Sequence, residues 1–361
     1  MFQTEYTSIL ELISHIKPES YVKNRNYIDG DVTKLSPYIS RGVISTKQIF
    51  DYVQQQGFDL KKIEHFIQEL AWRDYWQQVW MVKKEAINQA IRQPQVDVQN
   101  YAMPQTILEG TTQIEAIDEA IQSLYETGYM HNHLRMYSAA IACNVAKSHW
   151  LLPAKWMYYH LLDGDWASNA LSWQWVAGAN SSKKYYANQD NINTYCYTKQ
   201  KGTFLDVPYD QFDTLPIPSR LATTVIPTFK TILPQNKTLL LDPTLPTYIY
   251  TTYNLDPRWG TEEKANRILL LEPSHFENYP ISEKVMQFIS DLSKNIPAIQ
   301  VHCNEFENLI EEYNLNDIHY KEHPLTTHFK GTQHQRDWMF TVEGYYPSFF
   351  SFWKKCRREI E

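Results

Sequence analysis

Lys61–Lys83 reads KKIEHFIQELAWRDYWQQVWMVK, and its apolar residues recur at the three- and four-residue spacing of an α-helix, not at the two-residue spacing of a strand. Within it Glu69, Trp72, Arg73 and Trp76 sit at i, i+3, i+4 and i+7, which mixes charge into what should be an apolar stripe. Charges on such a face need partners. Either Glu69 and Arg73 satisfy each other, an exposed helix pair contributing about 0.2–0.5 kcal/mol, or a polar ligand does. The same helical periodicity extends on both sides. Ser45–Gln56 opens with a Ser cap, and 112–126, 130–146 and 153–162 follow, the last with Pro at its first turn. The run 165–176 continues the series, capped by Asp163 or Asp165. Strand-like alternation is nearly absent before residue 200, so this half is expected to be all-α.

The character changes where Pro208, Pro216, Pro218, Pro227 and Pro234 break any helix. Beyond them come short apolar runs, 238–241, 247–252, 268–271, 298–302 and 318–321, separated by helical stretches over 282–295 and 305–313. Strands alternating with helices predict a small α/β domain with a mainly parallel sheet. The expected organisation is a helical domain over 1–205, a Pro-rich linker over 206–235 and an α/β domain over 236–361. No GxGxxG or P-loop follows any strand, so nucleotide sites of those kinds have no support.

Composition narrows the function classes. A net charge of −7 argues against nonspecific coating of nucleic acid, which needs many Lys and Arg contacts to phosphate, although a local basic groove is compatible with it. Four scattered cysteines lack ligand spacing, so no metal centre is expected. Neither a signal-peptide layout nor a membrane-length apolar run is present, and a cytoplasmic location without membrane association is the default expectation. The 11 Trp and 25 Tyr exceed what core packing alone asks for and suggest ring stacking or electron hopping as well as burial.

Three further segments carry chemistry. In 127–136, TGYMHNHLRM, the residues Asn132, Arg135 and Met136 share a helix face that presents an amide, a guanidinium and a thioether. Such a face suits a ligand with an anionic and a flat apolar part, or a structural polar network. In 160–176, HLLDGDWASNALSWQWV, the residues Asp165, Asn169 and Trp173 fall at i, i+4 and i+8, behind a turn made by Asp163 and Gly164. A carboxylate, an amide and an indole on successive turns can read the edges of a heterocycle; alternatively the acids are caps and the indoles core. Near the start, Tyr27, then Thr33, Lys34, Leu35 and Ser36, then SPYISRGVIS, offer hydroxyls and an ammonium near helix N-termini, a candidate phosphate cradle.

Taken in order, these segments resemble the FAD-binding domain of the DNA photolyase/cryptochrome family: Thr-x-Leu-Ser, then Glu-Leu-x-Trp-Arg-Asp, then Thr-Gly-aromatic-Met-His-Asn-x-x-Arg-Met, then Asp-Gly-Asp-x-Ala-x-Asn with a following Trp-Gln-Trp. The resemblance implies a mainly α, FAD-binding N-terminal domain followed by the small α/β domain. It implies that Tyr27, Thr33, Lys34, Leu35 and Ser36 surround the diphosphate and ribityl chain, that Phe66 and Arg73 flank the cofactor, and that Asn132 and Arg135 contact it, with Arg135 paired to Asp163. Asp165 would accept from the flavin N–H edge and Asn169 would face flavin N5. An amide at that place suits a reduced, anionic flavin better than a carboxylate does.

The resemblance further implies that Trp173 and Trp150 begin an electron path to the flavin, whose third place falls near Tyr101. Glu69, Trp72, Asn132, Met136 and Trp175 match residues that hold a pyrimidine dimer flipped out of DNA, with the indoles as a wedge and Glu69 as hydrogen-bonding group and proton donor. The implied activity is light-driven repair of cyclobutane pyrimidine dimers, with single-stranded DNA favoured by the weakly basic surface; the alternative is a blue-light sensor without repair. Tyr129, His133 and Lys34 depart from the usual Trp, Arg and small hydroxyl residue, and the α/β unit follows the FAD segment where family members usually begin with one.

Overall fold

The computed structural model describes residues 2–360. Helices α1 (Tyr6–Ser14), α2 (Pro18–Asn24), α3 (Ser36–Ser40), α4 (Thr46–Gln55) and α5 (Glu64–Lys83) come first, and strand β1 (Met103–Pro104) follows them. Next are α6 (Gln105–Glu109), α7 (Glu115–Thr127), α8 (Asn132–Ala140), α9 (Leu151–His160), α10 (Trp166–Val176) and α11 (Gln189–Cys196). The remainder holds β2 (Thr224–Val225), β3 (Thr247–Tyr250), β4 (Asn266–Leu270), α12 (Pro273–Asn278), α13 (Glu283–Ser293), β5 (Gln300–His302), α14 (Phe306–Tyr313), β6 (Ile318–Lys321), β7 (Thr332–His334) and α15 (Phe349–Cys356). A mainly α part and an α/β part are both present, as the sequence predicts.

Two compact units emerge, and they divide the chain at places other than 205 and 236. One comprises residues 1–22, 33–82 and 230–361; the other comprises 23–32 and 83–229. The α/β sheet therefore folds together with α1, α3, α4 and α5. Specific bonds explain the grouping: Tyr6 N donates to Asn295 Oδ1 at 2.9 Å, and Leu255 N donates to Arg41 O at 2.9 Å. The Pro-rich segment is divided too. Thr224–Val225 pairs with Met103–Pro104, and Arg220 Nε donates to Thr111 O at 2.9 Å, so residues up to 229 are built into the second unit instead of spanning between domains.

In the first unit the sheet is parallel throughout, in the order β5-β4-β3-β6-β7. Strands β3 and β4 are buried along their whole length, which is why they read as continuous apolar runs and not as an alternating pattern. Ile249, Ile268, Leu270 and Ile318 pack with Phe306 and Leu309 of α14 into one core. The carboxyl ends of β3 and β6, where the strand order reverses and ligands usually enter such sheets, are plugged by rings. Tyr253 stacks on His323 at 4.5 Å, and Trp80 meets His323 edge-on at 5.3 Å.

Two expectations fail here for identifiable reasons. The run Thr238–Leu241 is not a strand: Leu240 N and O are both taken by the Gln300 side chain, which substitutes for a ladder. Strand β7, with the polar sequence Thr-Gln-His, forms at the sheet edge with no apolar signal to betray it. Elsewhere the caps act where the sequence places them. Ser45 and Gln48 form a capping box on α4, and Asp165 caps α10.

The second unit is held by buried side-chain amides. Gln174 Oε1 accepts from Ile91 N at 3.0 Å while its Nε2 donates to Ile87 O at 2.9 Å, and Asn144 Nδ2 donates to Val176 O and Tyr185 O. The expected helix over 130–146 divides into α8 and a buried π-helical turn at Ile141–Val145.

Asp74, on α5 in the first unit, is fully enclosed. Thr46 Oγ1 donates to it at 2.9 Å and Met339 N at 2.9 Å. Burial pushes its carboxyl up to about 6, against the pull of the Met339 amide, Arg336, Thr46 and Arg73. The folded state thus holds the proton more tightly than the unfolded chain does. Asp74's contribution to stability is greatest below about pH 4 and is lost as pH climbs to about 6, a change of roughly 3 kcal/mol. The Asp74→Asn variant should flatten the fall in urea midpoint between those pH values; equal slopes in variant and wild type would contradict this.

Candidate functional site

In the second unit the two densest motifs are drawn together by a glycine. Gly128 ends α7 at φ +73, and a Cβ there would stand 2.6 Å from Leu162 Cγ. The close approach lets Leu162 N donate to Gly128 O at 2.8 Å, which aligns segment 127–136 with the turn at 161–165. Arg135 then joins the two. Its Nη2 donates to Asp163 Oδ2 at 3.0 Å and its Nε to Met130 O at 2.8 Å, while the Tyr129 ring lies 5.6 Å from the guanidinium. The pair implied by the resemblance is present, with Asp163 buried.

Asp165 is the N-cap of α10 and buried: Oδ1 accepts from Ala167 N at 3.2 Å and Oδ2 from Ser168 Oγ at 2.7 Å. One turn on, Asn169 Nδ2 donates to Ala154 O of α9 at 2.8 Å, which sets the amide's orientation and uses one of its two N–H groups. Trp173 follows one turn later, buried. Asn132 opens α8 and is exposed, Met136 is half-buried, and Trp175 is exposed beside Tyr185 at 5.8 Å.

Tyr27 belongs to an aromatic layer that the sequence did not announce. It lies 5.1 Å from Tyr195 and stacks on Tyr197 at 5.6 Å, and Tyr195 meets His133 at 4.7 Å. His133 Nδ1 is hydrogen-bonded with Asn26 O at 2.8 Å, and burial holds its imidazole below the usual range. The departure at this position therefore puts a neutral ring where a cation is usual.

A second row of rings runs outward from the core. Trp150 is wholly buried; His149 lies 5.8 Å from it, and Tyr101 stacks on His149 at 5.1 Å while remaining 73% exposed. Backbone bonds pin the row: Gln99 N donates to Lys147 O at 2.9 Å and His149 N to Asn100 O at 2.9 Å. Burial lowers the His149 pKa, so the central ring is neutral.

In the first unit, Thr33 Oγ1 accepts from Leu35 N at 3.3 Å, Lys34 is exposed at φ +55, Leu35 is buried and Ser36 opens α3. Arg73 Nη1 donates to Ser40 Oγ at 2.9 Å, which ties α5 to α3. Phe66 is buried against the edge of Tyr21 at 5.2 Å, and Glu69 is exposed. Trp72 is stacked by Phe349 of α15, with ring centres 3.8 Å apart and planes 11° from parallel, and Trp76 lies 4.7 Å from it. Phe349 was not anticipated, because its partner is distant in sequence.

Residues 66–205 match the family model described as the FAD binding domain of DNA photolyase. This part of the chain is similar to the FAD-binding domain of the photolyase/cryptochrome family. A deoxyribodipyrimidine photo-lyase of Alkalihalophilus pseudofirmus is 28% identical over 206 residues, covering 52% of this chain and 43% of the relative. The photo-lyase of Streptomyces griseus is 30% identical over 167 residues, covering 45% and 36%. The chain thus spans less than half the length of these relatives. Among solved structures, a Synechocystis cryptochrome aligns over 54% of this chain and 44% of its own at 23% identity, with a TM-score of 0.47.

FAD is accordingly the cofactor of this photolyase-type domain. The donor set fits it in kind. Arg135 offers a cationic donor and Asn132 an exposed amide, Asp165 is a buried carboxylate, and Asn169 is a neutral amide, groups of the kind a flavin dinucleotide can pair with. Removing Asp163 would leave the Arg135 guanidinium without its buried counter-charge. The Asp163→Ala variant should lose about 3 kcal/mol in urea unfolding and release flavin on gel filtration; an unshifted midpoint with full flavin retention would refute this reading of the pair.

Proposed function

We propose that the chain is a blue-light-driven flavoprotein that repairs cyclobutane pyrimidine dimers in DNA. The observation that carries this reading is the α10 array, in which capped Asp165, oriented Asn169 and buried Trp173 follow one another on successive turns. Tyr27, Thr33, Lys34, Leu35, Ser36, Phe66, Arg73, Asn132, Arg135, Asp163, Asp165 and Asn169 are the cofactor-holding residues in this reading. When bound, reduced FAD supplies a light-excited electron to the dimer and receives it back after the cyclobutane ring opens.

The chain's own groups have separable tasks. Asn169 presents an amide instead of a second carboxylate, which adds no negative charge beside a reduced ring. Trp173 and Trp150 relay electrons inward during photoreduction. The row Trp150, His149 and Tyr101 supplies the outer step, with Tyr101 in the third place. Glu69 hydrogen-bonds the bases and offers a proton, and Trp72, Asn132, Met136 and Trp175 receive the flipped dimer. The DNA is single-stranded by preference, since a chain of net charge −7 provides few phosphate contacts for a duplex.

One observation favours a second reading, a cryptochrome-like sensor. The Trp72 ring is stacked face to face by Phe349, so a pyrimidine reaches that face only by displacing it. The two readings separate when photoreduced protein is incubated with an oligonucleotide containing one thymine dimer, in blue light and in darkness. Light-dependent loss of the dimer is expected; flavin photoreduction without any repair would establish the sensor instead.

The electron path has its own test. Trp173→Phe should slow flavin photoreduction by about tenfold or more, equivalent to a barrier rise of about 1.4 kcal/mol. Tyr101→Phe should slow it less while accelerating the return to the oxidised form. Unchanged transient-absorption kinetics in both variants would exclude the path.

A further inference from the structure

The C-terminal helix α15 has two faces of different chemistry. Phe349, Phe352, Trp353 and Cys356 are buried, Phe349 on Trp72 and Phe352 against Tyr75 at 5.6 Å. On the outward side Phe350 is 69% exposed, and Lys354, Arg357 and Arg358 follow it at i+4, i+7 and i+8, with Lys355 beside them. The outward face therefore presents one aromatic ring followed by a cluster of cations, in a chain whose net charge is −7.

This face is rigid, and its charge is cancelled only in part: Arg357 Nε lies 4.0 Å from Glu64 Oε1. Ser348 caps the helix through a capping box with Ser351, Trp353 Nε1 donates to Glu64 Oε1 at 3.1 Å, and Tyr75 OH donates to Tyr346 O at 3.0 Å. Glu359, next in sequence to Arg358, accepts from Thr341 N and Thr341 Oγ1 at 3.0 and 2.6 Å. Among the described residues, Lys354, Lys355 and Arg358 have no carboxylate within ion-pair distance. Cations in a last helical turn complement the helix dipole, but that accounts neither for Arg358, which lies beyond the helix, nor for an outward phenylalanine on the same stripe.

We propose that this stripe is a docking surface for single-stranded nucleic acid, with phosphates on Lys354, Lys355 and Arg358 and a base stacked on Phe350. A ring in line with cations one helical turn apart, about 5.4 Å, is the combination that sequence-tolerant single-strand binding uses, because every base has a stacking face and every phosphate a charge. The choice of DNA as the physiological strand rests on the repair reading given above. Through Phe349 the same helix covers Trp72, so the strand would be held beside a residue assigned to the dimer.

The test is fluorescence anisotropy with an undamaged oligothymidine, across a salt series, on the flavin-containing protein. The triple variant Lys354→Ala, Lys355→Ala, Arg358→Ala should bind at least tenfold more weakly, and its salt slope should fall by about 2, the value for three lost single-strand phosphate contacts. Phe350→Ala should weaken binding about fivefold or more with the slope unchanged, since stacking is not ionic. Both alter exposed side chains, and circular dichroism checks that they fold. Wild-type binding that neither variant alters would overturn the surface while leaving DNA repair standing. Oligonucleotide affinity left intact, with only adsorption to anionic lipid vesicles lost in the variants, would assign the stripe to a membrane and overturn the proposal. A failure of light-dependent dimer loss, with the variant effects on binding present, would count against the repair reading alone.

Discussion

The ion pair between Arg135 and Asp163, 3.0 Å long and mostly withdrawn from water, is the constraint around which the second unit is arranged. A carboxylate in that setting is costly unless its counter-charge is in place, so α8 and the turn ahead of α10 have one relative position that satisfies both groups. Gly128 permits that position by letting the chain pass against Leu162. Once it is reached, Asp165 is held at the start of α10, Asn169 and Trp173 follow on successive turns, and the bond to Ala154 O orients the Asn169 amide. Asp165, Asn169 and Trp173 are thus positioned by a contact that none of them makes.

In the first unit α5 plays the corresponding part, with its faces divided between tasks. Asp74 is enclosed and bound by Thr46 and the Met339 amide, Arg73 is tied to Ser40, and Trp72 lies under Phe349. A helix mixing charge with aromatic residues has no clean apolar stripe, and the structure shows why. Arg73 and Asp74 are met by polar partners from other segments of the same unit, and Trp72 and Tyr75 by rings of α15.

Much of this was legible in the residues. Helix boundaries followed from caps such as Ser45 and Asp165, because a cap is a local transaction between a side chain and the next backbone amides. Strands β3 and β4 followed from apolar runs, because strands covered on both faces carry apolar side chains on both. What was not legible depends on partners distant in sequence. Nothing near Thr238–Leu241 says that Gln300 will occupy its backbone, nothing in Thr-Gln-His says that an edge strand will form, and the Trp72–Phe349 stack joins residues on α5 and α15. The grouping of the first helices with the α/β sheet was hidden for the same reason, since it rests on Tyr6 with Asn295 and on Asp74 with Met339.

The last of these bonds bears on how the molecule is made. Asp74 and Met339 are 265 residues apart, so on a ribosome the helix bearing the acid emerges long before the amide that binds it. The continuous stretch 83–229 can complete most of its unit as a nascent chain, whereas the other unit must wait for its final segment. Until residues 339–353 have been made, Asp74 and Trp72 of α5 lack the partners that cover them. The wait exposes apolar surface, and non-local closure makes its burial slow. Synthesis rate and chaperone supply should then govern the yield of the sheet-containing unit more than that of its neighbour.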